Sequence, residues 1–168
     1  MLDAAADLVP DLLPDLRSLY EDLHAHPELS FQEHRTAGIL ADRIEALGYE
    51  VTRDVGGTGV VGRLVNGDGP TVYLRADIDA LPVEEDTGLT YASTVRGIDP
   101  SGRDVPVAHA CGHDMHATWL IGAASVLAAH RDAWSGTVVL VVQPAEELGS
   151  GAEAMLDDGI FDLVGRPD

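Results

Sequence analysis

The run Thr137-Val138-Val139-Leu140-Val141-Val142 constrains the fold more than any other stretch of this sequence. Side chains alternate in direction along a strand, so five consecutive aliphatic residues need both faces covered. Such a strand belongs inside a sheet that has helices on each side. It also needs a neighbouring strand on each edge, and the rest of the chain is not expected to supply both. Its carboxyl end continues into Gln143-Pro144-Ala145-Glu146-Glu147. That puts two carboxylates where open α/β sheets gather their ligands.

The remaining sequence alternates helical and strand patterns, which gives an α/β class with a central mixed, largely parallel sheet flanked by helices. Leu12, Leu16, Leu19 and Leu23 form one apolar stripe, and the preference of proline for a first turn places that helix start near Pro14. Ser30-Phe31-Gln32-Glu33 has capping-box spacing and opens a second helix that runs to about Leu47, with Gly48 as its stop. Glu33 is therefore read as a cap, and His24, His26 and His34 as structural residues. Tyr49–Arg53, Val60–Val65 and Thr71–Arg75 read as strands, and Asn66-Gly67-Asp68-Gly69 as a hairpin turn joining the last two. Gly57-Thr58-Gly59-Val60-Val61-Gly62 matches a dinucleotide fingerprint but leads into β-branched residues instead of a helix, so it reads as a glycine loop. Residues 83–107 read as a long excursion. A helix apolar nearly all round, and so buried, runs from Met115 to about His130 with Asp114 as its N-cap. A short helix follows from Ala152 to Asp158.

Ten arginines and no lysine face 29 acidic residues, for a formal net charge of −19. That charge repels phosphate backbones, so no nucleic-acid partner is expected. No apolar run approaches a membrane span, so no membrane partner is expected either. The first residues lack a basic segment, and a lone cysteine cannot close an internal disulfide. Both point to the cytoplasm.

Chemistry concentrates in His109-Ala110-Cys111-Gly112-His113-Asp114-Met115-His116, which holds three of the seven histidines and the single cysteine. On an extended loop Cys111 and His113 face the same way, so thiolate and imidazole can share one ion, and Gly112 permits the turn between them. Thiolate, imidazole and carboxylate together suit zinc or a similar first-row ion. A zinc finger is disfavoured because there is no second cysteine pair. A Cys–His nucleophilic pair is the weaker alternative, since residues two apart bind a shared third body more easily than each other. Glu146 and Glu147 could supply one ligand and one general base, and spacing alone does not say which is which. Asp77 and Asp79 form a further carboxylate pair at a strand end.

The blocks His26-Pro27-Glu28-Leu29-Ser30, Leu74 to Pro82, His109 to His116 and Gln143 to Glu147 resemble the M20 metallopeptidase superfamily. Within it they resemble the amidohydrolase branch of hippurate hydrolases, N-acyl-amino-acid amidohydrolases and auxin-conjugate hydrolases. The resemblance implies a zinc-exopeptidase-like catalytic domain that binds two divalent metal ions, Zn or Mn, with Co or Ni as further candidates. It implies that Cys111, His113 and Glu147 are metal ligands, that Glu146 is the general base and that Asp77 orients the ligands. Asp114 and His116 would support them, and Arg75 stands where sister branches place a metal-binding histidine. The implied substrate is a small N-acyl amino acid, and dipeptidase or aminopeptidase activity is the alternative. Family members carry further histidine ligands and a lid domain beyond the blocks matched here. Residues 1–168 are accordingly expected to be the N-terminal portion of the catalytic domain, inert or merely metal-binding alone, from a full-length homodimer or homotetramer.

Overall fold

The computed structural model describes residues 2–168. The chain folds as α1 (Leu2–Ala25), α2 (His34–Ala46), β1 (Glu50–Val55), β2 (Gly59–Asn66), β3 (Thr71–Asp77), β4 (Arg96–Ile98), β5 (Asp104–Pro106), α3 (His113–Ala129), β6 (Gly136–Gln143), α4 (Gly151–Asp157) and α5 (Ile160–Val164). Four strands form the main sheet in the order β1-β2-β6-β3, while β4 and β5 make a separate hairpin within the long excursion. No described helix is long and apolar enough to cross a membrane.

The apolar run lies where its pattern demands. Val138, Leu140 and Val142 enter one core with Leu19 and Leu23 of α1, Leu40 and Ile44 of α2, and Leu120 and Ile121 of α3. Val139 and Val141 enter the other, with Met155 and Ile160 from α4 and α5. The period of two thus divides one strand between two cores. β6 also has neighbours on both edges, β2 antiparallel and β3 parallel, contrary to the expected shortage.

Several local expectations are corrected. The sheet is mixed, but β3–β6 is the parallel pairing and both others are antiparallel. Asn66 to Gly69 does not close a hairpin, because β6 lies between β2 and β3. The turn instead wraps the start of β6, where Thr137 N donates to Pro70 O at 2.9 Å. A Cβ on Gly136 would stand 2.4 Å from that oxygen, so only glycine fits the crossing. α1 begins at Leu2, not near Pro14, and contains both prolines. Both are solvent-exposed, so water can serve the carbonyls they leave unpaired. The Gly57–Gly62 segment does lead into a strand, and Gly62 admits the Ile44 side chain, 2.5 Å from where a Cβ would be.

The two ends expected to be capped are built differently. Glu33 holds the N-cap position of α2 but its side chain makes no capping hydrogen bond, and the Glu28 carboxylate accepts instead from Arg35 N at 2.9 Å and Thr36 N at 2.7 Å. α3 starts one residue before Asp114, with left-handed Gly112 as its N-cap. Asp114 lies in the first turn, where its charge suits the helix dipole. Nor is α3 buried all round, since Trp119 is 64% exposed.

Candidate metal centre

The one parallel pair assembles the site. Asp77 at the end of β3 lies in register with Gln143 at the end of β6. The segments after both strands therefore emerge side by side, beside the N-terminus of α3. Arg75 bridges the strands by donating from Nε to Gln143 Oε1 at 2.7 Å, and its Nη2 pairs with Asp77 Oδ2 at 3.2 Å.

His113 is the hub. Its Nδ1 lies 2.8 Å from the Asp79 carbonyl oxygen. A carbonyl can only accept, so Nδ1 carries a proton and Nε2 faces the other way. Around Nε2 stand Asp77 Oδ1 at 3.7 Å, Glu146 Oε2 at 3.8 Å and Glu147 Oε1 at 3.9 Å. Those gaps are too long for hydrogen bonds. They are slightly wider than the separation of donors held tetrahedrally on one ion by bonds of roughly 2.0–2.2 Å. Two donor triplets result, His113 with Glu146 and Glu147, and Asp77 with His113 and His116.

The electrostatics also call for a cation. Asp77, Asp79, Glu146 and Glu147 converge on two imidazoles, and Glu147 Oε1 is buried without a hydrogen-bond partner. A buried carboxylate oxygen left unpaired is costly unless a cation takes it. Burial alone would lower the pKa of His113, but Asp79 and Asp77 outweigh it and raise it to about 9. Glu147 beside the Cys111 thiol, with desolvation and Glu146 adding to it, pushes that thiol up to about 11. A bound cation reverses this logic, because a coordinating thiol is deprotonated outright.

The expected site residues separate into those brought together and those set apart. His113, Glu146, Glu147, Asp77 and His116 share the cluster, with His116 Nδ1 2.5 Å from Asp77 Oδ1. Cys111 is exposed and sits against Glu147, outside both donor triplets. Asp114 faces away: its Oδ2 meets His24 Nδ1 at 2.6 Å, while His24 Nε2 meets Glu85 at 3.0 Å. Its support reaches the site through the backbone of α3, by tying that helix to α1. His109 is buried with neither ring nitrogen partnered, and burial lowers it to about 4, so it is neutral and stands outside the cluster.

Two residues matter more than the sequence reading allowed. Asp79 is 1% exposed. Its Oδ1 accepts from Glu146 N and its Oδ2 from Glu147 N, both at 3.0 Å, and Ser30 Oγ donates to Oδ2 at 2.6 Å. Its spacing from Asp77 was the available signal. Glu33, read as a cap, is fully buried and accepts from Ala145 N at 2.8 Å and Thr58 Oγ1 at 2.5 Å.

Known proteins share this arrangement of sequence and fold. Peptidase family M20/M25/M40 matches residues 73–167, more than half of the chain. Thermostable carboxypeptidase 1 of Saccharolobus solfataricus is 41% identical over 169 residues, covering 94% of this chain and 41% of that protein. Hippurate hydrolase of Campylobacter jejuni is 42% identical over 161 residues, covering 93% and 39%. The chain thus spans about two-fifths of the length of these relatives. A crystal structure of Bacillus subtilis YXEP protein, described as a dinuclear metal binding peptidase, superposes with a TM-score of 0.78 at 39% identity, covering 90% of this chain and 40% of that one. On these matches, the chain belongs to peptidase family M20/M25/M40.

Proposed function

We propose that this chain carries the metal-binding part of an amidohydrolase that cleaves N-acyl amino acids. The observation that carries the reading is His113 Nε2 facing three carboxylate oxygens, one of them the buried and unpartnered Glu147 Oε1. Cys111, His113 and Glu147 would hold metal, with His116 and Asp77 steadying the imidazole side and Asp114 anchoring the helix. Cys111, His113 and Glu147 alone are too few donors for two ions, so a second ion would need further ligands. Zinc or manganese fits the donor set, and when bound would lower the pKa of water to about 7 and polarise the scissile carbonyl.

The chain's own part in the reaction is proton transfer and orientation. Glu146 is the more exposed of the pair, 43% against 18% for Glu147. That supports Glu146 as the base, which must reach water and substrate, and Glu147 as the ligand. Glu146 Oε2 takes a proton from the attacking water and returns it to the departing amine nitrogen. Asp79 fixes the backbone of both glutamates throughout, and Asp77 holds His116 beside His113. The relative that bears the name hippurate hydrolase supports an acylated substrate, and a single free thiol suits a reducing cytoplasm.

Hydrolysis of benzoylglycine is compared with that of an unblocked dipeptide, with Mn²⁺ or Zn²⁺, by the longer protein and by residues 1–168 alone. The acylated substrate is expected to be preferred, with negligible turnover by residues 1–168. Preference for the free-amine dipeptide would replace this reading with a dipeptidase or aminopeptidase.

A further inference from the structure

The turn that carries Glu146 and Glu147 has a backbone its own residues do not favour. Ala145 lies at φ 48°, in the left-handed region where a Cβ is strained. The next bend is just as tight, since a Cβ on Gly151 would stand 1.6 Å from Pro144 O. Within the turn, three successive N–H groups donate to carboxylates from distant parts of the chain. Ala145 N donates to Glu33 Oε1 at 2.8 Å, Glu146 N to Asp79 Oδ1 and Glu147 N to Asp79 Oδ2, both at 3.0 Å. Asp79 also meets His113 Nδ1 at 3.3 Å, so it touches the donor cluster directly. Glu33 does not. It is fully buried, comes 112 residues before Ala145, and has no cation partner among the described ion pairs. A buried carboxylate without a counter-charge is costly. Here its oxygens are spent on one backbone N–H and one hydroxyl.

We propose that Glu33 is a positioning residue for the glutamate pair: by holding the Ala145 N–H it fixes the left-handed turn that aims Glu146 and Glu147 at His113. The proposal rests on the reading of that pair as base and ligand. Glu33 acts through backbone geometry and touches neither substrate nor metal.

Amide hydrogen exchange, read by NMR, tests this on two variants. Glu33→Gln keeps an acceptor oxygen at the same reach. Glu33→Asp keeps the charge but is one methylene too short to meet Ala145 N. Exchange at Ala145, Glu146 and Glu147 is expected to stay within about twofold of wild type in Glu33→Gln and to rise about tenfold or more in Glu33→Asp, with Val139 and Val141 of β6 unchanged. Co²⁺ affinity should fall alongside in Glu33→Asp alone. Equal protection in Glu33→Asp and wild type would overturn the proposal, as would equal loosening in both variants, or loosening that extends to β6. If Glu33→Asp does not fold, Glu33→Gln decides, and loss of Ala145 protection there overturns it. A wild-type protein that takes up no Co²⁺ would remove the metal reading while the amide comparison still judged the role of Glu33.

Discussion

Asp79→Asn should weaken the fold at the point where the site is held together. The carboxylate receives Glu146 N and Glu147 N, each at 3.0 Å, and Ser30 Oγ at 2.6 Å, while 1% exposed. An asparagine offers one acceptor oxygen. If that oxygen takes the Oδ2 position it keeps Ser30 and Glu147, and the amide NH₂ then points at Glu146 N–H. The reverse orientation sacrifices two donors instead of one. The better orientation loses one charge-assisted hydrogen bond and leaves a buried N–H unmet, a cost of about 2–3 kcal/mol. That is roughly a 30- to 150-fold change in the unfolding equilibrium. Ser30→Ala removes one donor from a carboxylate that keeps its others, so about 1 kcal/mol is expected. Urea denaturation followed by tryptophan fluorescence measures both, and Asp79→Asn should lower the midpoint by about 1 M or more at unchanged slope. An Asp79→Asn variant within about 0.5 kcal/mol of wild type would refute the reasoning, because a buried carboxylate holding two backbone N–H groups cannot be so dispensable.

Three further outcomes are expected. Glu146→Gln should lower kcat of the full enzyme by about 10²- to 10⁴-fold while metal content, measured by elemental analysis, stays at the wild-type level. Gly151→Ala should prevent folding or cost more than about 4 kcal/mol by circular dichroism melts, because its Cβ would overlap Pro144 O at 1.6 Å. Burial raises the Tyr49 phenol, which donates to Ala124 O, to about 12. The folded-state pKa is raised, so this contribution is complete below the unfolded value of about 10 and is lost as pH climbs from there to about 12, a total of about 2–3 kcal/mol. Tyr49→Phe should lack that part of the alkaline decline in urea titrations.

The sequence showed the site more clearly than the paths that lead to it. The Val138–Val142 run and the Glu pair after it state both burial and position, because an unbroken apolar run on a strand needs both of its faces covered. Of the CGH motif, His113 does stand among carboxylates, whereas Cys111 lies outside both donor triplets. Asn66 to Gly69 misleads because turn residues report a local bend and not which strands pair beyond it. The strand that separates β2 from β3 begins at Gly136, far along the chain. Ser30 and Glu33 mislead for a related reason. A hydroxyl followed three residues later by Glu is a local signature, yet their partners are Asp79, Thr58 and Ala145. Long-range partners outbid local ones where the side chain is buried, and burial at a loop position leaves no periodicity to read. Pro14 shows the converse, since its local preference was overruled by a helix that continues through it.

The central claim is that Cys111, His113 and Glu147 share a metal ion. Co²⁺ titration with absorption spectroscopy tests it most directly, because a cobalt–thiolate bond has its own charge-transfer band. Wild-type protein should show that band at saturation, Glu146→Gln should keep it, Cys111→Ser should lose it, and Glu147→Ala should need far more Co²⁺ to reach it. Absence of Co²⁺ binding in the wild type, or binding left unchanged by both Cys111→Ser and Glu147→Ala, would contradict the account.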